Sequence, residues 1–211
     1  MLISEEAPKH SVFLCGPKRE IEAILFDMDG VLVDSVPLHI KAWNSALKEY
    51  NLPPLDRNAY LAALGRTNLD MMAKYLDLHH TDLPLSSSKE IVAKKERLFR
   101  ALIRNDAKTM PGVMDWLEFL RKKQIRCSVA SSGEMANIVA VLESLRLSDY
   151  FTSILSGARL PAGKPDPMLF TLAAASLGVR PEKCLVVEDA PAGIQAAKAA
   201  NMYCCALATT A

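Results

Sequence analysis

The chain has 211 residues, half of them apolar and 23% charged, which suits one sizeable core with a smaller second one and excludes a disordered chain. Its 25 basic and 24 acidic residues leave a formal charge of +1, removing the usual electrostatic case for a nucleic-acid or anionic-membrane partner. No apolar run approaches the ~20 residues that a membrane span needs.

Residues 1–18 lack periodicity and read as an N-terminal extension. Glu5, Glu6, Lys9, His10, Lys18 and Arg19 leave only Ser11–Cys15 apolar, too short and too acidic a stretch for a secretory signal. A strand follows at about 21–26, rich in Ile, Leu and Phe as in a parallel sheet covered on both faces. It ends abruptly in Asp27-Met28-Asp29-Gly30. In open α/β sheets, ligands bind just beyond the carboxyl ends of strands, where these two acids fall. The same four residues also suit a solvated turn, with Asp for local hydrogen bonds and Gly for positive φ.

Residues 36 to about 104 contain no convincing strand. Helices are predicted near 37–50, 56–63, 68–78 and 87–104, punctuated by Pro53-Pro54 and by Leu83-Pro84 with Ser86-Ser87-Ser88. From Pro111-Gly112 onward, helices at about 113–124, 134–146, 167–178 and 191–200 alternate with strands at 125–130, 151–155, 184–187 and 202–207. Such alternation is the signature of right-handed βαβ units and a parallel sheet. The fold expected is therefore α/β, a Rossmann-like parallel sheet over 19–35 and 106–211 with an inserted α-helical cap over 36–105. A block inserted after the first strand would cover Asp27 and Asp29 like a lid. The five cysteines, at 15, 127, 184, 204 and 205, form no C-x-x-C pair. That fits a reducing, cytoplasmic setting without a disulfide framework or a zinc site.

Three later strand ends also carry chemistry. Ser131-Ser132-Gly133 suits a helix N-cap, yet its hydroxyls and free N–H groups also make a ready phosphate site. Gly163-Lys164-Pro165-Asp166-Pro167 is punctuation in part, with Asp166 as a cap, while Lys164 offers a fixed positive charge to a phosphoryl oxygen. Glu188-Asp189 closes the 184–187 strand. Asp189 suits the cap of the next helix, but Glu188 has no such explanation, and carboxylates at this place suit a hard cation such as Mg²⁺.

Taken in order, Phe26-Asp27-Met28-Asp29-Gly30-Val31-Leu32-Val33-Asp34-Ser35, Ser131, Gly163-Lys164-Pro165-Asp166-Pro167 and Val187-Glu188-Asp189-Ala190-Pro191-Ala192-Gly193-Ile194 resemble the four motifs of the haloacid dehalogenase superfamily. The branch resembled is that of β-phosphoglucomutase and the small sugar-phosphate phosphatases, from about residue 20 to the C-terminus. The resemblance implies a Mg²⁺-dependent phosphatase acting on a small phosphorylated metabolite, a sugar phosphate above all, with no obligate protein partner. Asp27 would be the nucleophile that forms an aspartyl-phosphate, and Asp29 the acid and base. Mg²⁺ would be held by Asp27, the backbone carbonyl of Asp29, and Asp189, with Glu188 as a further or water-mediated ligand. Ser131, Ser132 and Lys164 would hold the phosphoryl oxygens.

In the family, His and Trp at places matching His39 and Trp43 lie at the cap–core junction. These two share a helical face, which suits either a hinge-helix core or a role for His39 in steadying Asp29. Gly65-Arg66-Thr67-Asn68 resembles the cap loop that meets substrate, which makes Arg66 a candidate contact. Mutase members carry Arg where this chain has Asn68, and no lysine in Ala93-Lys94-Lys95-Glu96 aligns with the mutase pattern. These departures favour hydrolysis, with a phosphosugar mutase as the alternative. Related chains continue past 202–207 into a further helix and strand, whereas this sequence stops at Ala211.

Overall fold

The computed structural model describes residues 20–63 and 67–209, so the extension over 1–18 and the cap-loop residues Gly65 and Arg66 lie outside the described residues. Five strands, β1 (Ala23–Phe26), β2 (Arg126–Ser131), β3 (Ser153–Ser156), β4 (Cys184–Glu188) and β5 (Tyr203–Ala206), form one sheet in the order β3-β2-β1-β4-β5. Every pairing is parallel, with Phe26 opposite both Val129 and Val187. β1 thus lies in the middle, and the chain builds outward on one side of it before crossing to the other. That reversal opens a crevice at the carboxyl ends of β1, β2 and β4.

The period of two along each strand splits the core into two layers. Ile24, Phe26, Cys127, Val129, Leu185 and Cys205 face α5 (Val113–Lys122) and α6 (Met135–Ser144), through Leu117, Leu120, Ile138 and Val141. Ala23, Leu25, Ala130 and Val186 face α7 (Met168–Ser176) and α8 (Pro191–Ala199), through Phe170, Ala173, Ala196 and Ala197. Burial on both faces explains why the inner strands read as unbroken apolar runs. Among the described residues, an apolar groove of about 360 Å³ runs beside α5, lined by Phe26, Val113, Trp116, Val187 and Leu207.

Between β1 and β2 come α1 (Val36–Lys48), α2 (Arg57–Leu61), α3 (Asn68–Leu78) and α4 (Leu85–Asp106). They bury a cluster of their own around Trp43, Leu47, Tyr60, Met72, Tyr75 and Ile91. Leu38 of α1 and Phe99 and Ile103 of α4 belong instead to the layer that covers Phe26. Helix α4 starts two residues before the expected 87 and takes in Ser86-Ser87-Ser88. Serines are tolerated there because the first helical N–H groups lack intrahelical acceptors in any case. Elsewhere the observed strand and helix ends fall within a few residues of expectation.

The four described cysteines are free thiols. Burial pushes Cys127 up to about 12 and Cys184 and Cys204 up to about 11, so they pack as small apolar groups. No described helix is long and apolar enough to cross a membrane.

Phe99 is fully buried in the layer over Phe26, and its ring stacks on His39 with centroids 3.8 Å apart, so it fastens α4 to α1. Phe99→Ala is expected to cost about 3–5 kcal/mol in urea denaturation, the range for an aromatic removed from a core.

Candidate active site

The β1–β4 ladder continues one residue past the strand, where the Asp27 N–H donates to the Val187 carbonyl at 3.0 Å. The chain then turns tightly. The N–H groups of Leu32 and Val33 return to the Met28 carbonyl, and Gly30 takes φ +79°, a conformation that suits glycine. These backbone bonds fix Asp27 at the mouth of the crevice.

Lys164 reaches into the crevice from the loop after β3. Its ammonium donates to Asp27 Oδ1 and to Glu188 Oε1, both at 2.6 Å, with its side chain 5% exposed. It also lies 4.8 Å from the centre of the Phe170 ring. Glu188 Oε2 accepts the N–H groups of Asp189 and Ala190 at 2.8 Å each, so this carboxylate also serves the start of α8. Asp27, Glu188 and Asp189 each bring a carboxylate oxygen within 4.8 Å of the others, and all three residues are buried. Three hard oxygen donors converging like this suit a small divalent cation such as Mg²⁺.

Burial, together with the like charges of Glu188 and Asp29, raises Asp27 to about 7, although Lys164 opposes the shift. Lys164 itself is also raised, because Asp27 and Glu188 outweigh the effect of its burial.

Asp29 has different neighbours. It accepts a hydrogen bond from the Ser35 hydroxyl, and His39 Nε2 lies 3.5 Å from its Oδ1. Burial works against its charge, but His39, Ser35 and the Lys95 ammonium together hold the carboxyl below its usual range. Burial and Lys95 push His39 toward the neutral imidazole. Its ring stacks on Phe99, with the Tyr60 ring centroid 5.7 Å away, and its Nδ1 is buried without a hydrogen-bond partner among the described residues. Trp43 packs in the insertion's cluster, so of the pair on α1 only His39 reaches the carboxylates.

Ser131, 1% exposed at the end of β2, accepts the Gly133 N–H at 3.1 Å, whereas Ser132 is exposed and takes part in none of these bonds. Arg66 lies outside the described residues.

Several participants escaped the sequence reading. Lys95, 2% exposed, falls on the buried row Ile91–Lys95–Phe99–Ile103 of α4, and a lysine at a core position of that row was the available signal. Its ammonium donates to Glu96 Oε1 at 2.8 Å and lies over the Trp43 and Phe99 rings. Glu96 also accepts from Asn68 at 2.6 Å and from Asn137 on α6, while Arg100 donates to Asn137 Oδ1 at 2.9 Å. Thr209, after β5, donates to the Gly30 carbonyl at 2.7 Å and lies 3.4 Å from Asp189 Oδ2.

Residues 21–201 match the family model described as haloacid dehalogenase-like hydrolase. The chain is a haloacid dehalogenase-like hydrolase. It is 32% identical over 184 residues to a phosphorylated carbohydrates phosphatase of Thermotoga maritima, covering 86% of this chain and 82% of that one. It is also 32% identical over 186 residues to a beta-phosphoglucomutase of Bacillus subtilis, covering 87% and 81%. A crystal structure described as a predicted phosphoglycolate phosphatase from Haemophilus somnus superposes with a TM-score of 0.84 at 25% identity, covering 92% of this chain and 88% of its own. In this hydrolase the acids gather at two strand ends, Asp27 and Asp29 past β1 and Glu188 and Asp189 at β4.

Glycine 193 shows how tightly the acidic corner is packed. A Cβ built there would lie 1.7 Å from Glu188 Oε1 and 2.0 Å from its carboxyl carbon. Gly→Ala inside a helix is ordinarily stabilising. Here Gly193→Ala is expected to destabilise by about 1–3 kcal/mol through overpacking, read as a lowered melting temperature.

Proposed function

We propose that the protein is a Mg²⁺-dependent phosphatase that hydrolyses a small phosphorylated metabolite, a sugar phosphate, through an aspartyl-phosphate on Asp27. The observation that carries this reading is the buried junction of Asp27, Lys164, Glu188 and Asp189, with Asp29 two residues away on the same loop. The relatives named as a carbohydrate phosphatase and a phosphosugar mutase support the substrate class.

Mg²⁺ would be held by the carboxylates of Asp27 and Asp189 and the backbone carbonyl of Asp29, with Glu188 acting through water and through Lys164. When bound, the cation neutralises charge on the phosphoryl oxygens and on the attacking carboxylate.

An Asp27 carboxylate oxygen attacks phosphorus, and the bond from phosphorus to the ester oxygen breaks. Asp29, whose carboxyl is held below its usual range in the free site, takes up a proton as the anionic phosphate enters beside it and gives that proton to the departing alkoxide. In the second half Asp29 takes a proton from water, the water oxygen attacks phosphorus, and phosphate leaves with Asp27 restored. Splitting one displacement in two lowers each barrier, and a positioned acid and base contributes about 10²–10⁴-fold. Lys164 compensates charge on the transferring group, and Ser131 and the exposed N–H groups before α6 offer it hydrogen bonds. Ser35 and His39 aim Asp29. The helical insertion, which bears Lys95 and His39, serves as the lid.

A second reading, transfer of the phosphoryl group to a sugar hydroxyl instead of water, is favoured by the Bacillus subtilis relative. Conversion of β-glucose 1-phosphate to glucose 6-phosphate separates the two, since the hydrolase releases phosphate and forms no isomer.

Phosphate release from a panel of sugar phosphates is expected to need Mg²⁺, to stop with EDTA, and to fall at least about 10³-fold in Asp27→Asn. Retained turnover in that variant would falsify the nucleophile assignment. A second expectation concerns pH. Because burial raises Asp27 to about 7, the cation-free protein keeps a proton there that Mg²⁺ must displace. Mg²⁺ affinity is therefore expected to weaken about tenfold per pH unit below 7 and to level off above it. Calorimetric titrations at pH 6 and pH 8 check this.

A further inference from the structure

Glu96 is a carboxylate, 7% exposed, that no step of the proposed reaction uses. It is nonetheless saturated. Lys95 and Asn68 donate to one oxygen, at 2.8 and 2.6 Å, and Asn137 donates to the other. Asn68 is the first residue of α3, and Asn137 lies in the first turn of α6, so two helix starts are tied to one anion supplied by α4. Helix starts favour negative charge, and here that charge comes from the protein itself. Glu96 also lies within electrostatic reach of His39, and Lys95 within reach of both Asp29 and His39. The cluster therefore borders the reaction site.

The charge balance gives this arrangement a consequence. Among the described residues, the site and its border contain five carboxylates, Asp27, Asp29, Glu96, Glu188 and Asp189. They also contain three cations, Lys95, Arg100 and Lys164. Two negative charges are left over, which one divalent cation cancels. Among the described residues the remaining site is then neutral and can take a single phosphate group with its own charge. A second anionic group on the substrate would find Lys95 and the Asn68 and Asn137 amides already occupied by Glu96.

Building on the phosphatase reading, we infer that Glu96 selects against substrates with a second anionic group, so that the site takes the phosphate monoester of a neutral polyol or sugar. The three donors gathered by Glu96 are those that a distal phosphate or carboxylate would need. The protein has placed its own carboxylate among them.

The test uses the Mg²⁺-loaded enzyme hydrolysing p-nitrophenyl phosphate, with β-glucose 1-phosphate and glucose 1,6-bisphosphate as competitors. In the wild type the bisphosphate is expected to compete at least roughly tenfold less well, the scale of one unit charge at short range in a protein. Glu96→Gln keeps the size of the side chain and one accepting oxygen but removes its charge, and should close that ratio by roughly tenfold. Glu96→Asp disturbs packing but keeps the charge, and should leave the ratio as in the wild type. A structural role alone would shift both variants alike, and melting temperatures report on folding separately. The inference is overturned if the bisphosphate competes as well as the monophosphate in the wild type, or if Glu96→Gln leaves the ratio unchanged. If the wild type does not hydrolyse p-nitrophenyl phosphate, the phosphatase reading fails instead. Calorimetric binding of the two sugars to the Mg²⁺-loaded protein then tests selection by Glu96 on its own.

Discussion

The Lys164 ammonium, held between Asp27 and Glu188, is the interaction on which the rest of the site depends. Carboxylate oxygens less than 4.8 Å apart repel by about 3–4 kcal/mol per pair at an effective dielectric near 20, and this protein buries three such groups at one crevice. Lys164 offsets part of that repulsion from within, while the backbone N–H groups at the start of α8 stabilise Glu188 from behind. Removing one partner of a buried pair strands the other, which ordinarily costs about 3–5 kcal/mol. The geometry therefore ties folding to chemistry, since the charges that would serve phosphoryl transfer can be buried together only in this arrangement.

The sheet order makes the arrangement possible. β1 lies between β2 and β4, so chain segments more than a hundred residues apart end side by side. This part was legible in the sequence because it follows from a simple rule: buried parallel strands are apolar on both faces, and polar residues just past their ends stand out. Asp27, Asp29, Glu188 and Asp189 stood out in this way, whereas Lys164, eight residues past the end of β3, was marked by the glycine and prolines around it. Ser132 shows where the rule loses resolution. Next to Ser131 in sequence, it is exposed, because the chain turns out of the sheet between the two.

The helical insertion was legible as helices, as a cover over the acids of the first strand and, through His39, as a neighbour of Asp29, but its inner polar network was not. The bonds of Glu96 run to α3 and α6, which no periodicity within α4 can announce. Lys95 lies on the buried row of α4, but Glu96 beside it looks like one more exposed charge, and its bonds to Asn68 and Asn137 are what hold it inside. His39 lay open between a core reading and a contact with Asp29, and it has features of both: its ring is stacked on Phe99, while Nε2 faces the carboxylate.

The hydroxyl of Thr209 adds a constraint in time. It closes on the Gly30 carbonyl across 179 residues of sequence, and Lys164 meets Asp27 across 137. Contacts so distant close very large loops, so they form after the local contacts inside the helical insertion. A growing polypeptide can complete that insertion early, but the crevice stays open-ended until β4, β5 and Thr209 have followed it out. The acids of β1 therefore wait, in the order of folding, for the acids of β4.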